Sequence, residues 1–395
     1  MRLLFGILLV CVGLVTNSQG GGWVYAAEWS AEPALSVRGI YNSNLLVNPQ
    51  AVEVWGYSTS PSMNVMGSTE RFQLSSRVAA DFVHYDGDQR IGYTNIFLPL
   101  SATYSGDRDT FEFVGGFTRD NTLRSELLST GIVASFTQRN LWSAAPSWTH
   151  SLTERLSIQS AYQLMDATYE DASNLGLANY QLQGVTETLH YQLTEQDQLS
   201  LTGLYTNFHT KDLPLRAQFP GVVLSAKHAF TETLVGSVFG GAKFISSTTT
   251  VAGSRIEESN TVWVYGASLK KELSAASIVL EYNRDVTPSG FGLLVTNDRL
   301  SLTLLQRPTE TLSISLDARV YFSSGATTNA NGVQFTDLFN VVVTPRIDWR
   351  WNEFWTFNMG YRYVEFDAPS FATPGRSHAA FTGLTYTLPK WSISR

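Results

Sequence analysis

The histidines and carboxylates are the first side chains to consider for catalysis. No two of the six histidines have an HxH or HxxxH spacing that would put two imidazoles on one face to bind a metal. They are His84, His150, His190, His209, His228 and His378. The one pair of interest is His84 with Asp86, because a carboxylate can orient an imidazole that acts as a general base. An Asp beside a His is common in loops, so we expect no catalytic site, no metal and no cofactor.

Polar and charged residues alternate with apolar ones along several segments of the chain. Leu312, Ile314 and Leu316 alternate with Ser313 and Ser315, and this period of two indicates a strand with two unlike faces. The charged residues predicted on the polar faces, and so lining an interior, are Arg77, Asp81, Glu112, Lys243, Glu281, Asp317, Arg319, Arg346, Asp348, Arg350 and Arg362. Both signs are present. They predict either a polar channel of mild selectivity or Asp–Arg pairs that line a closed barrel.

A short turn motif, typified by LTERL, recurs about every 40 residues. Copies lie at 68–72, 152–156, 193–196, 230–234 and 308–312, with looser ones at 106–109, 270–273 and 351–354. Such a unit fits two strands of about ten residues, one tight turn and one longer loop, as in an outer-membrane barrel. A propeller blade has a similar period but needs four short strands. Eight inner turns predict a closed antiparallel all-β transmembrane barrel of 18 strands, with 16 as the nearest alternative.

Loop composition separates these hairpins, and two of the predicted outer loops, 167–179 and 246–259, are candidates to fold into the barrel. No long internal segment stands out as a plug. A closed barrel is expected because every backbone N–H and C=O in hydrocarbon needs an internal partner.

The composition agrees with strands that are apolar on one side only. Of the 395 residues, 15% are charged and 12% aromatic, whereas about a quarter of a soluble domain is charged. The net charge of −7 argues against a nucleic-acid partner. We expect outer-membrane lipid as the partner instead.

The N-terminus is typical of a secretory signal peptide. Arg2 precedes an apolar run at 3–15, and cleavage is expected after Ala26 or Ala27. Residues 1–26 are therefore predicted as the signal peptide and 27–395 as a single barrel domain in the outer membrane of a Gram-negative bacterium. The single cysteine, Cys11, lies in the apolar run; an acylated Cys11 is the less favoured alternative.

Tryptophans cluster near the predicted inner turns. They are Trp148, Trp349, Trp351 and Trp355. Aromatic rings at strand ends are expected where a barrel meets lipid headgroups. The competing interpretation is that they pack the rim of a soluble core.

Several segments resemble a known family. They are YNSNL at 41–45, WSAAPSW at 142–148, LTERL at 152–156, LHYQLTE at 189–195 and FTETL at 230–234. The chain is similar, over most of its length, to outer-membrane β-barrel proteins associated with exosortase/PEP-CTERM and exopolysaccharide gene clusters. The resemblance implies a barrel, and polysaccharide or periplasmic export components as possible partners.

Three functions remain open from the sequence. The favoured one is a porin-like channel for small polar solutes, or an accessory conduit for surface polysaccharide. The second is a structural or interaction barrel without an open pore. The third, an outer-membrane hydrolase, is least favoured because it would need a His–carboxylate pair at one rim.

Overall fold

The computed structural model describes residues 27–87, 90–129, 136–251, 254–327, 337–369 and 373–394. The predicted signal peptide at 1–26 lies outside these residues. The strands are β1 (Glu28–Asn42), β2 (Val54–Ser68), β3 (Phe72–Gly87), β4 (Ile91–Ser105), β5 (Asp109–Asn121), β6 (Gln138–Ser151), β7 (Leu156–Tyr169), β8 (Tyr180–Gln192), β9 (Asp197–Thr210), β10 (Leu215–Thr231), β11 (Leu234–Val251), β12 (Ser254–Leu273), β13 (Ala276–Pro288), β14 (Leu294–Gln306), β15 (Leu312–Gly325), β16 (Leu338–Arg350), β17 (Trp355–Asp367), β18 (Gly375–Thr387) and β19 (Trp391–Ser394). Helix α1 (Thr122–Ser129) follows β5, and a 3₁₀ helix (Ala172–Leu175) follows β7.

The strands close into one antiparallel barrel. Each of β1 to β17 pairs with the strand that follows it, and β18 pairs with β1. The short β19 pairs with the first residues of β1, next to those that pair with β18. It therefore continues the position of β18 in the wall and does not count as a further strand of the barrel. The predicted closed barrel of 18 strands is therefore confirmed, and the 16-strand alternative is wrong.

The repeated turn motif has a direct structural role. In four of its copies the threonine hydroxyl oxygen accepts the backbone N–H three residues later: Thr69 from Phe72, Thr153 from Leu156, Thr194 from Asp197 and Thr309 from Leu312, at 3.0–3.1 Å. The looser copy uses Asn352, whose side-chain oxygen accepts the N–H of Trp355 at 2.9 Å. Short polar side chains that bond their own backbone favour tight turns over continued strand. The repeat thus marks the ends of the hairpins.

The pairing register defines two faces for the whole wall. Arg38 on β1 pairs in register with Ser58 on β2 and with Gly383 on β18, so these three positions belong to one face of the wall. The same parity continues around the barrel. This face points inward, because side chains of the same parity, such as Phe208, Val262 and Val364, lie in buried clusters inside the wall. The opposite face points outward and carries large, exposed apolar side chains such as Trp142 (59% exposed) and Leu201 (51%).

Inward-folded loops narrow the outer end of the barrel. Loop four (170–179) contributes Ala172 and Leu177 to a buried cluster with strand residues such as Tyr169 and Phe208. Loop seven (289–293) adds Leu293, and its Phe291 packs against both this cluster and a second one around Val364. The prediction for loop four is consistent with this packing.

Loop six is where the sequence prediction was wrong. The segment 246–259 does not fold inward as a loop, because β11 runs to Val251 and β12 starts at Ser254. Its Ser and Thr residues pair in register across a long hairpin. The pairing of β12 with β13 begins only at Tyr265, so the hairpin extends past its neighbour.

The two faces predict opposite responses to a buried charge. Leu316→Arg places a guanidinium on the outward face of β15, and we expect it to destabilise the barrel by about 2–4 kcal/mol in a bilayer. Thr303→Arg, on the inward face of the neighbouring β14 and opposite Asp317, is the matched control and is expected to be nearly neutral. Urea unfolding in lipid vesicles, followed by tryptophan fluorescence, measures both. Equal losses for the two variants would contradict the assignment of the faces.

Candidate functional site

The interior surface carries the charged residues that the sequence singled out. The ladder register places all eleven of them on the inward face, at strands β3, β5, β11, β13, β15, β16 and β17. Several of them are exposed, namely Arg77, Glu112 and Arg362. The inward-facing Val114 is 57% exposed. Exposure of inward side chains means that the interior below the loops is not packed solid.

Opposite charges do pair inside the barrel, but seldom across neighbouring strands. Arg319 bonds Asp317 two residues away, and Arg346 bonds Asp348 in the same manner. Lys243 reaches Asp285 from β11 to β13. These contacts hold the side chains along the wall, so pairing and an open interior coexist.

One part of the wall has an excess of positive charge. The inward face of β14 to β17 carries more arginines than carboxylates. The arginines are Arg299, Arg319, Arg346, Arg350 and Arg362, and the carboxylates are Asp317 and Asp348. Arg38 of β1 adjoins this group, and its buried Nε has no hydrogen-bond partner. The result is a cationic surface on one side of the interior.

Arg362 of this surface has a further cation as a neighbour. Its strongest electrostatic neighbour is Arg124 of α1, followed by Tyr85, Tyr93 and Arg319. No carboxylate of the described residues forms an ion pair with it. Because a guanidinium presents several donors in a planar fork, it suits planar oxyanions such as carboxylates. Arg362 is thus a candidate contact for anionic solutes.

A buried ionic network narrows the outer mouth. Glu126 of α1 accepts the hydroxyl of Tyr169 at 2.6 Å and the backbone N–H of Gly290 at 3.1 Å. Arg139 lies 3.8 Å from Glu126 and binds Asp120 through two nitrogens at 3.0 and 3.1 Å. Helix α1 follows β5 and loop seven follows β13, eight strands further round the barrel. The Glu126–Gly290 contact therefore bridges the mouth.

The arrangement also holds loop seven on its other side. The carbonyl of Gly290 accepts the N–H of Ala178 from loop four at 2.8 Å. A Cβ on Gly290 would lie 3.1 Å from the carboxyl carbon of Glu126. Close backbone approach is therefore part of the contact, and loop seven is clamped between α1 and loop four.

The pair of His84 and Asp86 does form, at 3.2 Å. Both residues have outward parity on β3, and Asp86 also binds Arg90 at 3.0 Å. They face away from the interior and from Arg362. The geometry places this pair as a surface contact near the outer end of the strand.

Other histidines pair at the inner end of the barrel wall. His150 Nδ1 lies 2.8 Å from Asp109, and His228 Nδ1 lies 2.7 Å from Asp197. His190 faces inward and contacts the Ser200 hydroxyl at 2.8 Å. In the described part of the chain, no group of three or more His, Cys, Asp or Glu side chains is arranged to hold a metal.

The four predicted interface tryptophans lie at the inner end of the wall and are 38–53% exposed. Trp351 meets Trp349 edge-on at 5.6 Å and stacks on Phe357, while Trp355 contacts Tyr386 at 4.8 Å. Trp148 donates its indole N–H to Asp109 at 2.8 Å. The rings lie in two places at the inner end: Trp148 on β6, and the other three at the turn between β16 and β17.

Sequence reasoning missed several residues of the site, among them Arg299, Arg38 and two residues of α1. Arg38 has inward parity on β1, and alternation around Leu35 and Val37 could have revealed it. Arg124 and Glu126 lie on α1, a helix that the sequence analysis did not predict. No local signal shows that this segment enters the barrel.

Comparisons with known proteins give a likeness of architecture. No protein-family model matches the chain, and no curated protein matches it. Among solved structures it is similar to Pseudomonas aeruginosa OccK5 (OpdH), with 13% identity, a TM-score of 0.43, and coverage of 91% of this chain and 98% of that one. For Acinetobacter baumannii OccAB4 the values are 10%, 0.44, 92% and 98%. For Pseudomonas aeruginosa OccK11 (OpdR) they are 14%, 0.44, 91% and 96%. No helix of the described residues is long and apolar enough to cross a membrane.

Proposed function

We propose that the protein is a porin-like channel of a Gram-negative outer membrane that passes small polar solutes. One observation carries the proposal: the closed wall is apolar outside, while its charged inward side chains border unfilled space. An apolar surface that surrounds a barrel on every side is far larger than the patches that soluble monomers expose. Lipid is the partner that covers such a belt, and a polar interior then admits water and solutes.

The channel is proposed to favour small anions. The arginine excess on β14 to β17, together with Arg38, raises the local concentration of anions in the narrow part of the interior. Arg362 lies where such a solute passes α1, because Arg124 is its neighbour. A carboxylate-bearing solute suits these guanidinium groups best.

Reconstitution into planar bilayers tests the channel. We expect discrete conductance steps from the purified folded protein that persist when the voltage is raised. In a potassium chloride gradient, the reversal potential should lie on the side of the chloride equilibrium potential. Heat-unfolded protein in the same detergent is the control. A folded barrel that inserts into the bilayer but gives no steps would support a structural barrel without an open pore.

A further inference from the structure

The outward face of the barrel contains one isolated carboxylate. Glu187 has outward parity on β8 (Tyr180–Gln192), and lies more than four residues from either end of that strand. Every other charged outward side chain of the described strands lies within four residues of a strand end. The deepest of those, Arg284 and Asp298, pair with each other at 3.0 Å. Glu187 therefore stands alone at the level where the surface is otherwise apolar.

The surroundings of Glu187 form a shallow, polar depression. The Ser160 hydroxyl of β7 donates a hydrogen bond to the carboxylate at 2.8 Å. On the other side, register places Gly203 of β9 next to it. A Cβ built on Gly203 would meet nothing within 4 Å. Exposed apolar side chains, Val185 (50%) and Leu201 (51%), border the depression.

Lipid is a poor cover for this depression. A carboxyl group facing hydrocarbon keeps unsatisfied hydrogen-bonding capacity, which one serine hydroxyl does not fill. Small residues on a membrane-facing surface allow another protein surface to approach closely. The depression has both properties. The carboxyl group of Glu187 needs a polar partner, and the small residues Ser160 and Gly203 leave space for one.

We propose that this depression binds a second copy of the same chain, forming a dimer about a two-fold axis normal to the membrane. The inference rests on the membrane placement in the proposed function. A two-fold axis of this kind keeps each residue at its own depth. Glu187 of one copy then meets Glu187 of the other, and the two carboxyl groups share a proton in a hydrogen bond.

Self-association is favoured over a contact between two different faces of the barrel. No outward Lys or Arg of the described strands lies at the depth of Glu187, so no other face of this chain offers it a counter-charge. The depression also suits the symmetric contact. Register puts Ser160 and Gly203 on opposite sides of Glu187, so the strand with the open Gly203 of one copy faces the strand with Ser160 of the other.

The number of copies in the purified, detergent-solubilised protein tests the proposal. Size-exclusion chromatography with light scattering is expected to give two copies for the unaltered chain. Glu187→Leu removes the shared hydrogen bond, and Gly203→Leu fills the depression. Each is expected to raise the dimer dissociation constant at least about tenfold. Glu187→Gln, which keeps hydrogen bonding, is expected to retain the dimer.

Ala380→Leu is the matched control, because Ala380 has outward parity on β18, about half-way round the barrel. It is expected to leave two copies. Resistance to sodium dodecyl sulfate without heating verifies that each variant is folded. A single copy for the unaltered chain, a trimer, or a Glu187→Leu variant that dimerises as well as the unaltered chain would each overturn the proposal. A monomer that still conducts would leave the channel proposal standing.

Discussion

Glu126→Gln is expected to loosen the outer mouth and lower the stability of the barrel. The carboxylate of Glu126 accepts hydrogen bonds from Tyr169 and Gly290 and lies near Arg139, with 6% of its side chain exposed. A glutamine has the same shape, so no cavity forms. Its one side-chain oxygen can take the place of only one of the two carboxylate oxygens, and the NH₂ group accepts no hydrogen bond. A buried donor is therefore left without an acceptor, at a cost of about 1–3 kcal/mol.

Loss of the charge adds to this effect. Arg139 is 10% exposed and would keep Asp120 alone as its anionic partner. Removing one member of a buried ionic group typically costs about 3–5 kcal/mol, and the second carboxylate here reduces that loss. We expect a lower unfolding midpoint in urea, together with larger or more frequently fluctuating conductance steps, because loop seven loses its bridge to α1.

Glu170→Gln is the matched control for this experiment. Glu170 lies at the same end of the barrel, but it is 48% exposed and pairs with Arg119 at the surface. An exposed pair contributes little to stability, so neither conductance nor the unfolding midpoint should change. If Glu126→Gln folds with unaltered conductance and stability, then the contact with Gly290 does not hold the mouth.

Arg362→Glu is expected to move the ion selectivity toward cations. The residue is exposed to the interior and has Arg124 and Arg319 among its neighbours. Reversing its sign changes the local charge by two units. With Coulomb energies in water and partial screening by salt, the anion-to-cation permeability ratio should fall about two- to fivefold. Reversal potentials in a potassium chloride gradient measure it.

The size and salt dependence of this effect distinguish a lumen charge from a surface charge. Arg255→Glu is the control, because Arg255 is 68% exposed on the outward side of the β11–β12 hairpin. It should leave the reversal potential unchanged, while the Arg362 effect should shrink as salt rises. An equal shift in both variants would mean that the overall charge, and not the arginine surface of the interior, sets selectivity.

The sequence by itself determined the wall of this protein. Hydrogen bonds to the hydroxyl oxygens of threonines such as Thr153 and Thr309 are local, since each spans three residues. Alternation along β15 and β16 is local as well, because successive side chains of a strand point to opposite faces. Turn spacing and parity could therefore be extracted without knowing any distant contact, and together they predicted the strand number and the inward parity of residues such as Arg346.

Only the tertiary structure decided which segments narrow the outer mouth and which inward charges lack partners. Glu126 meets Gly290 across 164 positions of sequence, and no periodicity carries that contact. Arg362 has a second cation, Arg124 of α1, as its neighbour because closure of the barrel brings the two together. The segment 246–259 was predicted as an outer loop and a candidate to fold inward, because its Ser and Thr residues suit a loop as well as a hairpin. Closure of the barrel brings together side chains that lie far apart in the sequence, and local patterns do not relate such residues to one another. The sequence therefore predicted the wall but not the site within it.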